Sequence, residues 1–165
     1  MDATQLSGHG MVSTTTLEVA DVREILSQVV DPEIPVLTIE DLGVLRSVEV
    51  IDPRVIVTIT PTYSGCPAMR QIEDDIGSTL HRHGFEQVEV RTVHFPAWTT
   101  SWITEDGHRK LAEFGTAPPT AESEVLCPRC DASAPKMIAR FGSTACKALM
   151  VCSSCGEPFD YFKEF

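Results

Sequence analysis

Apolar residues recur at intervals of three and four near the start of the chain. In LEVADVREILSQVVDP, Val19, Val22, Ile25, Leu26 and Val29 share one helical face, and Pro32 stops the pattern soon after. DPEIPVLTIEDLG, with two prolines and a closing glycine, reads as a loop. The period then drops to two: LRSVEVIDPRVIVTIT predicts two strands around Asp52-Pro53, a β-hairpin. PAMRQIEDDIGSTLHRHG returns to helical spacing, with Pro67 suited to the first turn and Gly84 to the C-terminal end. FEQVEVRTVHF alternates as a third strand, and SWITEDGHRKLAEFG predicts a short helix ending at Gly115. The expectation is an α+β domain over residues 17–115, a hairpin plus a third strand packed on helices.

TAPPTAESE, residues 116–124, has the composition of a linker to a cysteine-rich tail, residues 125–165. Residues 1–16 are polar and rich in Gly, Ser and Thr, and they read as a disordered arm. They offer neither the basic start nor the apolar stretch of a secretory signal, and no apolar run approaches the ~18 residues of a membrane span. The expected location is cytoplasmic.

The tail carries CPRC and CSSC, so Cys127, Cys130, Cys152 and Cys155 form two C-x-x-C pairs. Each pair lets two thiolates converge on one ion, and two pairs complete a tetrahedron. This predicts a zinc ribbon with one structural zinc per chain; iron in the same four-sulfur cage is the alternative. A disulfide framework is disfavoured in a reducing compartment. Gly156 permits the tight turn after the second pair, and Asp131, at the matching place after the first, tolerates positive φ better than most residues. KALMV leads into Cys152 as one arm of a hairpin. Cys146 lies outside the pairs; it reads as a small buried residue of that hairpin or as a spare ligand or redox thiol.

Charge narrows the partners. The net charge is −11, and it is uneven: residues 1–120 hold 18 acids and 8 bases, residues 121–165 hold 6 and 5. A nucleic-acid binder needs a basic face to displace counterions, and this chain repels phosphate. Four thiolates around Zn²⁺ would lower the tail's charge by a further two, so the ribbon suits docking or scaffolding. Basic protein partners match the field, and simple solubility is the plain alternative.

Cys66 stands apart in TPTYSGCPAM, where a strand turns into a helix. With Pro67 at the first helical position, Cys66 is the expected N-cap, where unpaired amides and the helix dipole lower a thiol's pKa. Gly65 lets the backbone turn and leaves room for a ligand. The residue is then a reactive or metal-binding sulfur, against the plainer reading of a buried cysteine at a turn. A nucleophilic cysteine would want a histidine base. His81 and His83 fall at the far end of the helix, and His94 ends the third strand.

DPEIPVLTIEDLGVLRSVEV followed by TPTYSGCPAM resembles the iron–sulfur cluster assembly factors related to SufT. VHFPAWTTSWITEDGHRKLAEFGTAPP and the ribbon CPRC…FGSTACKALMVCSSCGEPFDYFK narrow the resemblance to the PaaD (PaaJ) family, small subunits encoded with the phenylacetyl-CoA ring epoxidase. The resemblance covers roughly residues 19 to 165. It implies a SufT-like domain in which Cys66 handles iron or an iron–sulfur cluster transiently; on that expectation Asp31, Glu33 and Asp41 form an acidic loop near it that favours a cation or docks a basic partner, with loop solvation and capping as the plain alternative. It implies an accessory or maturation role in aerobic phenylacetate degradation, beside a di-iron oxygenase component and an iron–sulfur reductase; the alternative is a non-catalytic adapter subunit. A homo-oligomer is also open. The chain lacks the four-helix carboxylate and histidine set of a di-iron oxygenase. It also lacks flavin and nicotinamide fingerprints, so it is neither of those components. No nucleic acid and no membrane enter this reading.

Overall fold

A computed structural model describes residues 18–165. The arm expected over residues 1–16 lies outside them. Helix α1 spans Val19–Leu26, with a reciprocal cap between Glu18 and Asp21. It is shorter than the apolar pattern predicts. Val22 and Leu26 are buried one turn apart, but Val29 joins the core from beyond the helix end, where its carbonyl bonds the Ile39 amide.

Strands β1 (Leu45–Ile51) and β2 (Arg54–Ile59) form the expected antiparallel hairpin around Asp52-Pro53. A bulge between Leu45 and Ser47 shifts the register by one. It explains why Leu45 and Val48, three apart, both face the core. Helix α2 (Ala68–Arg82) then crosses over, and β3 (Gln87–Thr92) pairs in parallel with β2, giving the order β1-β2-β3. Ala68, Met69, Ile72, Ile76 and Leu80 form the buried face of α2. Cys66 lies in the connection at the carboxyl end of β2, the side of a parallel pair where ligand crevices form.

Helix α3 (Glu105–Phe114) is capped by the Thr104 hydroxyl, which accepts from the Gly107 amide, and ends at Gly115. The segment expected as a linker is not a free connection. Thr116–Ala117 forms a buried strand β4 paired in parallel with β7, so the tail's sheet begins before its first cysteine. Strands β5 (Lys136–Ala139), β6 (Lys147–Val151) and β7 (Pro158–Phe162) complete a sheet of order β4-β7-β6-β5.

Two apolar clusters result. The smaller, around Val125, Met150, Phe159 and Tyr161, belongs to the tail. The larger belongs to the first domain, but Cys146 and Phe162 of the tail are part of it. Trp98 packs against Phe162 and Phe165, and its indole N–H donates to the Leu42 carbonyl at 2.9 Å. The tail is therefore docked through its aromatic end, not held at arm's length.

Candidate functional site

The two cysteine turns of the tail are built alike. The Cys127 amide donates to the Ala132 carbonyl, and the Asp131 amide to the Cys127 carbonyl. The Cys152 amide donates to the Glu157 carbonyl, and the Gly156 amide to the Cys152 carbonyl. The equivalent positions Asp131 and Gly156 both take positive φ, 56° and 75°, as the turn requires.

The four sulfurs lie within 4.8 Å of one another. Cys127 Sγ is 3.8 Å from Cys155 Sγ, and Cys130 Sγ is 3.6 Å from Cys152 Sγ. A tetrahedron with metal–sulfur bonds of about 2.3 Å has edges of about 3.8 Å, so the donor set fits a metal ion without rearrangement. The amides of Cys155 and Ser154 point at the Cys152 sulfur and lower its pKa. The Ala132 amide favours the Cys130 thiolate, but the sulfurs of Cys155 and Cys152 push that thiol up. Charge repulsion among four sulfurs is what a dication relieves.

Cys66 is a different kind of site. The cap of α2 is Pro67, one residue later than expected, and the Cys66 carbonyl accepts from the Met69 amide at 3.3 Å. Gly65 takes φ 81° and faces open space. The sulfur is half-buried against the larger core. The expected lowering of its pKa does not hold. Burial pushes the thiol up; the Ala68 amide opposes this but is outweighed, and Glu33 and Asp31 add to the rise. Partial burial, with Cys66 and Glu33 adding to it, pushes Tyr63 up to about 12.

Of the acidic residues expected near Cys66, Asp31 and Glu33 are the two whose charge opposes its ionisation. Asp31 is 6 % exposed, and its Oδ1 accepts from the Glu33 and Ile34 amides at 2.8 Å. Burial raises its pKa against those two amides. Burial also raises Glu33, and Asp31 adds to it. Asp41 faces elsewhere: it pairs with Lys110 at 2.7 Å and accepts from the Thr38 amide. Burial would raise its carboxyl, but Lys110 and Thr38 together hold it below the ordinary value. Asp41 thus ties α3 to the loop.

Among the described residues no histidine is bonded to Cys66. His81 and His83 end α2, where His83 Nδ1 meets the Thr79 carbonyl at 2.9 Å, and His94 is exposed. Glu105 and His108 have the E-x-x-H spacing of di-iron proteins, but α3 is one of only three α-helices among the described residues, too few for a four-helix bundle.

Cys146 is the residue whose placement the sequence hid. It precedes β6 and is 5 % exposed, with its sulfur 3.0 Å from the Thr144 hydroxyl. Burial raises its pKa, and Glu33 and Asp31, the two acids that act on Cys66, act on it too. No local pattern announces that a tail cysteine packs into the first domain's core.

Two family models match the chain. The model described as iron-sulfur cluster assembly protein covers residues 19–94, and the PaaD zinc beta ribbon domain covers residues 112–163. An Escherichia coli (strain K12) protein, named as a putative component of 1,2-phenylacetyl-CoA epoxidase, is 47 % identical over 153 residues, 88 % of this chain and 93 % of that protein. The chain belongs to the PaaD family. The PaaD ribbon begins within α3, which agrees with β4 being part of its sheet.

The first domain has its own relatives. An Fe-S protein maturation auxiliary factor of Porphyromonas gingivalis is 33 % identical over 93 residues, 55 % of this chain and 88 % of that protein. The crystal structure of a domain of unknown function (DUF59) from Bacillus anthracis superposes with a TM-score of 0.53 at 26 % identity, covering 56 % of this chain and 90 % of that one. A conserved hypothetical protein from Thermotoga maritima gives 0.50 at 27 %, covering 58 % and 94 %. No helix among the described residues is long and apolar enough to cross a membrane.

Proposed function

We propose that this PaaD-family chain is an accessory maturation factor of a multicomponent phenylacetyl-CoA epoxidase in aerobic phenylacetate degradation, handling iron or an iron–sulfur cluster in transit through Cys66. The observation that carries this reading is the placement of Cys66. Its sulfur sits half-buried on an open Gly65–Pro67 turn beside two carboxylates, inside the segment similar to iron–sulfur assembly proteins and outside the four-cysteine site. A thiol kept protonated by burial resists oxidation while empty. A thiophilic cation reverses the sign: it displaces the proton, and Glu33 and Asp31, which repel the bare thiolate, attract the positive ion bound to it.

In this reading Cys127, Cys130, Cys152 and Cys155 hold one zinc per chain, a closed structural centre that fixes the ribbon. The iron is cargo and leaves again. The receiving partner is an iron-bearing epoxidase component, the di-iron oxygenase or the iron–sulfur reductase, in the cytoplasm where thiols stay reduced. In cells whose only copy carries Cys66→Ala, the epoxidase should assemble but be under-loaded with iron, with activity reduced in proportion. Full iron content and full activity would refute the role.

A second reading, a non-catalytic adapter subunit, draws on the ribbon's outer face. Ile138 and Phe141 are 56 % and 68 % exposed there, and Lys163 lies 4.5 Å over the Phe141 ring. An adapter remains bound through turnover and is indifferent to Cys66, so the same cells separate the two readings.

A further inference from the structure

We infer that Arg129 and Ser153 latch the two cysteine turns of the ribbon to each other, and that this latch sets how fast the ribbon's metal ion exchanges through its two exposed ligands, Cys130 and Cys155. The inference rests on the zinc assignment of the ribbon and is independent of the cargo role of Cys66.

The four sulfurs divide by exposure. Cys127 and Cys152, the first cysteine of each turn, are buried in the ribbon's apolar cluster. Cys130 and Cys155, the second of each, are exposed. A chelator or a thiol reagent therefore meets the exposed pair first. Two side chains cross between the turns beside that pair. Arg129, which lies between Cys127 and Cys130 and is the only charged residue inside either turn, donates from Nη1 to the Glu157 carboxylate beyond the second turn. Glu157 is fixed in place, because its carbonyl accepts from the Cys152 amide at 2.9 Å. Ser153, between Cys152 and Cys155, donates from its hydroxyl to the Ala134 carbonyl beyond the first turn, at 3.3 Å. Ala134 takes φ 57°, a left-handed conformation that alanine disfavours, so a tertiary contact such as the Ser153 bond is needed to hold it. The two bridges run in opposite directions, and each turn thereby holds the other.

The arrangement suits a kinetic role. The Arg129 and Glu157 side chains are 67 % and 39 % exposed, and an exposed ion pair adds little to global stability. A closed four-sulfur centre has no open position, so exchange begins when one sulfur lets go. Cys130 and Cys155 can let go without breaking the apolar cluster; Cys127 and Cys152 cannot. A latch that keeps the turns together returns a departed sulfur before a competitor takes its place. Charge alone would act differently. Loss of Arg129 removes a cation beside the sulfurs and loss of Glu157 removes an anion, so the two changes would shift exchange in opposite directions. A latch shifts it the same way at both residues.

The test challenges zinc-loaded full-length protein with excess EDTA, to time zinc release, and separately with iodoacetamide, with the alkylated cysteines mapped by mass spectrometry. In wild type, Cys130 and Cys155 should be alkylated before Cys127 and Cys152. Arg129→Met and Glu157→Gln should each speed zinc release about two- to fivefold, and Ser153→Ala about twofold or more. Arg129→Met and Glu157→Gln combined should be no faster than the faster single variant, and the exchanged pair Arg129→Glu with Glu157→Arg should recover most of the wild-type rate. Shifts of opposite sign in the two single variants, effects that multiply in the double variant, release at the wild-type rate in every variant, or alkylation of all four sulfurs together overturns the latch and leaves the zinc assignment standing. A wild-type protein that retains no zinc overturns both. The order of alkylation needs no variant, so a variant that fails to fold does not block the test.

Discussion

The chain carries two thiol sites, and they are opposites. In the ribbon, four sulfurs stand at the edge lengths of a metal tetrahedron, and backbone amides aim at the Cys152 sulfur. At Cys66, one half-buried sulfur sits among carboxylates that oppose its ionisation. The first site is pre-organised for a metal ion. The second is held toward its protonated form by burial. Cysteine count alone therefore does not describe a thiol; the groups around each sulfur decide whether its charged form is favoured or opposed.

The largest expected effect breaks the first site. Cys127→Ser removes one ligand from a buried position, and structural zinc contributes on the order of 10 kcal/mol to the folding of small modules. The variant should lose zinc, and its ribbon should be cleaved by protease where wild type resists. A zinc-loaded, protease-resistant Cys127→Ser protein would mean that the ribbon stands without its metal.

Next in size is the join between the regions. Phe162 is fully buried in the first domain's core although it belongs to the ribbon's last strand. Phe162→Ala should cost about 3–5 kcal/mol and lower the urea midpoint of both regions together. Two separate transitions, with the first domain's unchanged, would show the domains to be independent.

The smallest effect concerns Asp41. Its carboxyl is held below the ordinary 3.8, so the folded pKa lies under the unfolded one. The stabilisation is present above the unfolded value and is lost as pH falls through the folded value. Lys110→Met should cost about 1 kcal/mol at neutral pH, and the loss relative to wild type should fade in acid. A difference that persists unchanged at low pH would place the cause outside this ion pair.

How much of this was legible in the sequence follows from the range of each interaction. The hairpin, α2, α3 and the two cysteine turns are set by neighbours in the chain: Asp52-Pro53, Pro67, Thr104 and the C-x-x-C spacing. Even the positive φ of Asp131 follows from its place after Cys130. What stayed hidden needed distant partners. The cap position expected for Cys66, which Pro67 takes, gave the wrong sign for its pKa, because burial by the larger core outweighs the Ala68 amide. Thr116–Ala117 looked like linker because two residues carry no period, yet β7 supplies a partner strand. Asp41 looked like part of an acidic loop until Lys110, sixty-nine residues on, claimed it. Cys146 looked like part of the ribbon alone because nothing local announces its burial in the first domain's core.

The most direct test of the contrast between the two sites is the metal content of the purified chain. Wild-type and Cys66→Ala proteins would be exposed to iron(II) and sulfide under anaerobic conditions, desalted, and assayed for zinc, iron and acid-labile sulfide per chain. One zinc in both, with iron in wild type and none in Cys66→Ala, is the predicted result. Equal iron in both proteins, or zinc alone in both, would contradict the assignment of cargo to Cys66.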